Sequence, residues 1–253
     1  FISRWDVDEI VMLDISARKE KRIINLDVLS YVSKYCFVPL SVGGGIKNIG
    51  DVKSIISAGA DKVVINTEAI ERPDFISEIS NEFGSQCVVV SIDSKKGDDG
   101  QYEVYSYIGN KKKGISVKDW SKKVEQHGAG EILLNSIERD GSKRGYDVNL
   151  ISSISKCVDI PVIAIGGVGK FSHFASGILE GNASAVAAAN IFHFIEHSTI
   201  MAKANLLSAG IDIRLDSEAN YKGREFDKTG RLLTHSSEKL EDSEFFPSKK
   251  RII

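Results

Sequence analysis

The sequence predicts one (β/α)8 barrel built from two half-barrel repeats. Three observations indicate it: short apolar runs alternate with amphipathic segments, the second half repeats the first about 122 positions later, and a glycine-rich loop follows an equivalent run in each half. With 253 residues and 42% hydrophobic content, the chain can bury one large core. We expect the barrel to span residues 1–214.

Seven strands follow from the apolar runs. Runs such as Val63-Val64-Ile65 and Val88-Val89-Val90 are continuous, as expected of parallel strands covered on both faces. The predicted strands lie near residues 9–14, 37–42, 62–66, 87–93, 131–136, 161–165 and 184–189. The repeat places the mate of strand 87–93 upstream of Phe1. We therefore expect a first strand, with about 38 residues, to be missing from this chain, unless the repeat simply decays there.

Each half carries a glycine-rich loop, Gly43-Gly44-Gly45 in the first and Gly166-Gly167 in the second. Each loop follows a predicted strand and precedes a predicted helix. Backbone N–H groups in such a loop can face an anion, and the helix N-terminus adds partial positive charge. Packing alone is not expected to require three consecutive glycines. The two loops therefore predict two phosphate sites, although a tight turn without a ligand stays open for either loop taken alone.

The active site of such a barrel lies at the carboxyl ends of its strands. Asp93 ends an otherwise apolar strand, so its carboxyl should face the barrel mouth, where partial desolvation raises its pKa and suits it to proton transfer. The alternative for a lone aspartate at a strand end is a helix N-cap. Other candidates after predicted strands are Asp14, Gly45, Asn66, Thr67, Asn135, Asp140, Gly141, Ala189 and Asn190.

Lys62 and Glu131 begin predicted strands and should lie at the opposite, N-terminal face. Charges at that face are usually structural, but a ring of them could also form a mouth to the barrel interior. Residues 97–114 should form a hairpin on the catalytic rim that carries Lys111-Lys112-Lys113. These lysines could cover a bound phosphate, or they could simply be exposed to solvent without a role in binding.

Composition excludes several classes of protein. The net charge of −2 gives no general attraction to nucleic acid or anionic lipid, and the sequence has no apolar run long enough for a membrane span. The charged residues near its start lead us to expect no signal peptide. Three cysteines without metal or disulfide spacing predict reduced thiols in a cytoplasmic protein, and no metal or cofactor is expected. The polar residues 215–253 should form a loosely ordered extension.

Several strings together resemble the HisF family, the cyclase subunits of imidazole glycerol phosphate synthase. The resemblance covers about residues 1–214. The strings that carry it are Leu13-Asp14-Ile15, Val42-Gly43-Gly44-Gly45-Ile46, Ala60-Asp61-Lys62-Val63, Asn66-Thr67, Phe83-Gly84-Ser85-Gln86, Ser91-Ile92-Asp93, Gly128-Ala129-Gly130-Glu131-Ile132-Leu133-Leu134, Arg139-Asp140-Gly141, Gly145-Tyr146-Asp147, Gly166-Gly167 with Gly169-Lys170, and Phe192-His193-Phe194.

The resemblance implies a barrel that receives ammonia from a HisH-like glutaminase subunit docked on its N-terminal face. Ammonia would cross the barrel and react with a bisphosphorylated aminoimidazole ribonucleotide, giving imidazole glycerol phosphate and an aminoimidazole carboxamide ribotide. Asp93 matches the catalytic acid/base, and Lys62 the lysine of an ammonia gate shared with Glu131. One phosphate would be held by Gly45, Asn66, Thr67, Asp140 and Gly141, and the other by Gly166, Gly167, Ala189 and Asn190; Asp14 and Asn135 complete the expected site.

Departures from the family pattern leave the substrate open. The family's other catalytic aspartate belongs to the first strand. Asn135 stands where threonine is usual, Ile108 where a hairpin serine is usual, and Ile165 and Asn190 where serines line the second phosphate site. These changes look like the WbuZ-type paralogues of surface-polysaccharide clusters, which are associated with amidation of a nucleotide sugar or glycan. Three hypotheses follow: the cyclase, an ammonia-channelling paralogue, and a non-enzymatic docking scaffold for a glutaminase.

Overall fold

The computed structural model describes residues 7–106, 109, 111–194 and 198–214, and it confirms the predicted α/β architecture. Its strands are β1 (Ile10–Leu13), β2 (Leu40–Gly43), β3 (Lys62–Ile65), β4 (Val88–Lys96), β5 (Tyr102–Ser106), β6 (Lys111–Ser116), β7 (Glu131–Ser136), β8 (Val162–Ile165) and β9 (Ala185–Val186). Its helices are α1 (Leu26–Ser33), α2 (Ile49–Ser57), α3 (Thr67–Glu71), α4 (Asp74–Phe83), α5 (Val117–Gln126), α6 (Val148–Ser155), α7 (Ser172–Leu179), α8 (Ile191–Phe194) and α9 (Ser198–Ser208), with a 3-10 turn at Ser85–Cys87.

Seven strands form one curled parallel sheet in the order β1-β2-β3-β4-β7-β8-β9. This order follows the chain, so each helical crossover returns over the outer face of the sheet. The longest register joins β4 to β7, from Val89 opposite Glu131 to Ser94 opposite Ser136. The arrangement is that of a (β/α)8 barrel, and it brings all the strand ends that were predicted to carry the site to one rim.

Apolar side chains pack on both faces of the sheet. Outward residues such as Val63, Val90 and Ile132 pack against the helices in the larger core. The alternating residues Val64, Val89 and Leu133 pack together inside the barrel, with Val11, Ile163 and Ile165 against them. Because successive strand residues point to opposite faces, a strand buried on both sides needs an unbroken apolar run. The two cores explain why the strands could be located from sequence.

A hairpin rises, as expected, from the rim at the carboxyl ends of the parallel strands. β4 continues past the barrel, pairing antiparallel with β5 from Asp93 opposite Tyr105, and β5 pairs with β6. Its lysines are partly neutralised, because Lys112 forms an ion pair with Glu103 and the Lys113 ammonium lies 4.0 Å from a Glu71 carboxylate oxygen. Ile108 and the predicted extension at 215–253 lie outside the described residues, so expectations about them stay predictions. In the part of the chain that is described, no helix is long and apolar enough to cross a membrane.

The helix that follows the first glycine loop begins with a capping box. Asn48 accepts a hydrogen bond from the Asp51 backbone N–H over 3.0 Å, while the Asp51 carboxylate accepts from the Asn48 backbone. We expect Asn48→Ala to lower the free energy of unfolding by about 1 kcal/mol, because the Asp51 N–H in the first turn loses its side-chain acceptor. Urea unfolding measures this change. Asn149→Ala, an exposed substitution in the first turn of α6, should change stability little, and an equal loss there would contradict the capping explanation.

Candidate active site

Three polar side chains form a hydrogen-bonded row across the barrel mouth. Asp93 lies on β4, directly opposite Asn135 on the neighbouring strand β7. Asn66 directly follows β3, which pairs with β4 on the side opposite to β7. The Asn66 amide donates to Asp93 Oδ2 over 2.9 Å, and the Asn135 amide donates to Asp93 Oδ1 over 2.9 Å. We call these three residues the Asp93 row.

The environment of Asp93 suits a group that exchanges protons. Burial raises the pKa of the Asp93 carboxyl, the hydrogen bonds from Asn135 and Asn66 act in the opposite direction, and the negative charge of Asp140 adds to the rise. The net shift is upward, which brings the carboxyl closer to the pH at which an acid/base catalyst is most effective. The row can therefore hold a carboxylate in one place and let it accept or donate a proton there.

The two amides of the row each keep one polar atom free. Oδ1 of Asn66 and Oδ1 of Asn135 are buried and have no hydrogen-bond partner. Each Nδ2 group gives one of its two N–H donors to Asp93 and keeps the other. The predicted phosphate contacts of Asn66 and of Thr67, the first residue of α3, stay predictions.

The first glycine loop (residues 43–45) packs directly against the segment that follows β1. A Cβ on Gly44 would lie 2.8 Å from the Asp14 carbonyl oxygen, and a Cβ on Gly45 would collide with the carbonyl oxygen of Arg22. Gly45 also has φ of 71°, in the left-handed region. The expectation that packing does not require these glycines is wrong, since each is required by a close backbone approach. Gly44 and Gly45 are also partly exposed, and their predicted role in binding phosphate stays a prediction.

The second glycine loop (residues 166–169) packs against the loop after β7. A Cβ on Gly166 would lie 2.6 Å from Asn135 Oδ1 and 3.6 Å from the Asp140 Cα, and the Gly145 backbone donates to the Gly167 carbonyl over 2.7 Å. Asp140 thus lies beside the second glycine loop. Its predicted place, with Gly141, at the first phosphate stays a prediction.

The remaining rim candidates also follow strand ends. The backbone at Gly141 is open, with no atom within 4 Å of a Cβ placed there. Ala189 and Asn190 are exposed after β9, and their carbonyls accept the first hydrogen bonds of the turn that begins α8. Their predicted contacts with phosphate stay predictions.

The carboxylate of Asp14, another expected site residue, is hydrogen-bonded to residues of the loop that follows it. Its Oδ1 accepts from the Ser16 backbone, the Ser16 hydroxyl and the Ala17 backbone, and its Oδ2 pairs with Arg22. The Arg22 hydrogen bond holds the pKa of Asp14 below its ordinary value. These contacts give Asp14 a structural role in shaping the loop against Gly45. Arg22 was not foreseen, because nothing in a local sequence pattern links it to Asp14.

At the N-terminal face, Lys62 lies between two carboxylates. Its ammonium is 2.7 Å from Glu131 Oε1 and 3.1 Å from Glu9 Oε2, and Glu131 Oε2 is buried without a partner. Partial burial acts to lower the pKa of Lys62, but hydrogen bonds to Glu131 and Glu9 outweigh it and the pKa is raised. Glu9 was missed as a site residue, although the internal repeat aligns it with Glu131 and so contained the signal.

The charged cluster and the Asp93 row lie at opposite ends of the barrel interior. Lys62 and Asn66 are four positions apart on or just after β3, which corresponds to roughly 13 Å along an extended strand. The side chains between them are the apolar interior residues Val64, Val89 and Leu133. Within the described residues, no group of three or more His, Cys, Asp or Glu side chains could hold a metal ion. The expectation that no metal or cofactor takes part stays a prediction.

Comparisons with known proteins point to one family. The family model described as "Histidine biosynthesis protein" matches residues 2–198. A protein of Vibrio vulnificus (strain YJ016), provisionally named imidazole glycerol phosphate synthase subunit hisF2, is 50% identical over 232 residues, which cover 91% of this chain and 85% of that protein. Imidazole glycerol phosphate synthase subunit HisF of Caulobacter vibrioides (strain NA1000 / CB15N) is 49% identical over 211 residues, covering 83% of this chain and 81% of the relative.

Proposed function

The chain belongs to the histidine biosynthesis protein family of (β/α)8 barrels, and from this membership we propose that it is the cyclase subunit of an imidazole glycerol phosphate synthase. It would use ammonia to convert a bisphosphorylated aminoimidazole ribonucleotide to imidazole glycerol phosphate and an aminoimidazole carboxamide ribotide. The observation that carries the proposal is the Asp93 row, which lies on β4 and β7 between the two glycine loops. That arrangement suits a long substrate with a phosphate at each end.

The geometry divides the work between the rim and its centre. Backbone N–H groups of the glycine loops, with the helices that follow them, would hold the two phosphates. Asp93 would act between them, because addition of ammonia to a carbonyl carbon and closure of a ring both require protons to be taken up and released. Holding both ends of the substrate would keep its reacting centre beside one carboxyl, which contributes through orientation as well as proton transfer.

Ammonia delivery is proposed from the opposite face. Lys62, Glu131 and Glu9 form a charged cluster at the amino ends of β3, β7 and β1, below an apolar interior that leads to Asp93. On the same face, between α1 and β2, the aromatic side chains of Tyr35 and Phe37 are 58% and 80% exposed. Exposed aromatic residues are typical of protein interfaces. They support docking of a HisH-like glutaminase, which would release ammonia at the cluster.

The main test is an assay of the full chain with ammonium salt and the bisphosphorylated ribonucleotide. Formation of imidazole glycerol phosphate supports the cyclase. The absence of turnover, together with stimulation of a glutaminase partner on mixing, would instead support the ammonia-channelling paralogue that amidates a nucleotide sugar or glycan. That second candidate is favoured by one observation, the Asn135 side chain in direct contact with Asp93 at a position where the family usually has threonine. A scaffold role would leave every readout unchanged in Asp93→Asn.

The charged cluster provides a separate prediction for the coupled enzyme. We expect Lys62→Ala to lower glutamine-dependent turnover at least about tenfold, roughly 1.4 kcal/mol in barrier, because Glu131 is left buried without its counter-ion. Turnover with ammonium salt should change much less, since the salt reaches Asp93 without passing the cluster. Steady-state assays with each nitrogen source measure the two effects. Lys118→Ala, an exposed lysine on α5, serves as the control, and equal losses with both nitrogen sources would contradict a gating role.

A further inference from the structure

We infer that Asn135 is a positioning residue that fixes the direction of the Asp93 carboxylate. The inference rests on the proposed function and deepens it. It concerns a residue that departs from the family pattern, so the pattern itself does not supply the role.

The amide of Asn135 is held in one orientation. Its Nδ2 donates to Asp93 Oδ1 over 2.9 Å. Its Oδ1 lies on the other side, 2.6 Å from the place that a Cβ on Gly166 would occupy. Turning the amide over would bring its oxygen against the Asp93 carboxylate, where two acceptors repel. Only a glycine at position 166 leaves room for the oxygen in the observed orientation. Gly166, just after β8, and Asp93, on β4, therefore together determine how the Asn135 amide is oriented.

Asn66 completes the constraint from the other side. It donates to Asp93 Oδ2, so each carboxylate oxygen accepts one amide hydrogen bond from a different neighbouring strand. Two donors on two oxygens restrict rotation about the terminal torsion of the aspartate, which is otherwise broad. They also favour the ionised form, in opposition to burial, which raises the pKa of Asp93. Loss of either donor should therefore raise that pKa further.

Two substitutions of Asn135 test the positioning role. Asn135→Asp keeps the shape but replaces the donor with a second carboxylate, and Asn135→Thr restores the family's usual residue, whose hydroxyl is one bond shorter. We expect the Asp variant to lose at least about tenfold in kcat at pH 7 with a smaller change in KM for the ribonucleotide, and the Thr variant to lose less. In both, the acidic limb of the pH profile should move to higher pH relative to the wild-type chain, because an ionised Asp93 loses a donor.

A carboxyl titration by carbon-13 NMR makes the test independent of turnover. The Asp93 signal should titrate at higher pH in Asn135→Asp and in Asn135→Ala than in the wild-type chain, provided that thermal unfolding shows each variant to be folded. An unchanged Asp93 titration in both folded variants would overturn the positioning role, even if the enzyme proves to be a cyclase. If the wild-type chain never turns over the ribonucleotide, but Asp93 titrates at higher pH in the variants, the proposed substrate is rejected and the positioning role is supported.

Discussion

Asp93→Asn should reduce ammonium-dependent turnover by about 10²–10⁴-fold, the range that one acid/base group contributes. The substituted amide cannot exchange a proton at neutral pH, but it has the same shape and can keep one hydrogen bond from the row. The Asn66 amide can turn so that its unpaired oxygen accepts from the new amide. Neither glycine loop is changed, so the dissociation constant of the ribonucleotide, measured by calorimetry, should change far less than kcat.

The same variant should be as stable as the wild-type chain at pH 7 or more stable. Burial raises the pKa of the Asp93 carboxyl in the folded state, so folding favours the protonated form. The stability associated with that form is fully present below the unfolded-state pKa of about 4 and is lost as pH rises through the folded-state value. At pH 7 the wild-type chain has lost this stability, because Asp93 is ionised. The amide of the variant is uncharged at pH 7 and at pH 4 alike. The difference between the variant and the wild type should therefore shrink as pH falls toward 4.

Asp14→Asn is the matched control, because its expected effect has the opposite sign. Arg22 lowers the pKa of Asp14, so its contribution to stability is present above the unfolded-state pKa and is lost as pH falls through the folded-state value. Asp14→Asn should destabilise the chain at pH 7, and the difference should shrink at low pH. Urea unfolding at pH 7 and pH 4 measures both variants. A destabilised Asp93→Asn, or one that retains turnover, would contradict the assignment of Asp93.

Gly45→Ala should lower the free energy of unfolding by about 3 kcal/mol, near the upper end for a single substitution. Two costs combine at this position. The backbone has φ of 71°, which an L-residue with a side chain rarely adopts, and the new Cβ would collide with the carbonyl oxygen of Arg22. Relief of the collision must displace the loop that Asp14 and Arg22 hold together. We therefore also expect KM for the bisphosphorylated substrate to rise, because the first glycine loop shifts with it.

Gly114→Ala separates these two costs. Gly114 has a similar φ of 66°, but no atom lies within 4 Å of a Cβ built there. It should cost only the left-handed conformation, about 1 kcal/mol, and leave KM unchanged. Chemical unfolding and steady-state kinetics on both variants make the comparison. Equal losses of stability in the two variants would show that the contact between Gly45 and Arg22 contributes nothing.

The two glycine loops and the Asp93 row have different places in the internal repeat. Two glycine loops belong to different halves of the internal repeat, and the Asp93 row spans the junction between them, from β3 through β4 to β7. The row therefore lies between the two loops on the sheet. This placement supports the proposed substrate, a molecule with a phosphate at each end and one reacting centre between them.

From the sequence alone came the approximate positions of the strands, the helices between them, the two glycine loops and the placement of Asp93 at the barrel rim. These features depend on short-range regularities, namely unbroken apolar runs, the internal repeat and glycine clusters between strand and helix. Only the tertiary structure decided that Asn66 and Asn135 both donate to Asp93. It also decided that Asp140 lies beside Gly166 and that Arg22 forms an ion pair with Asp14. Each of these depends on register between strands or on side chains reaching across a loop, and register is set by packing of the whole sheet rather than by neighbouring residues.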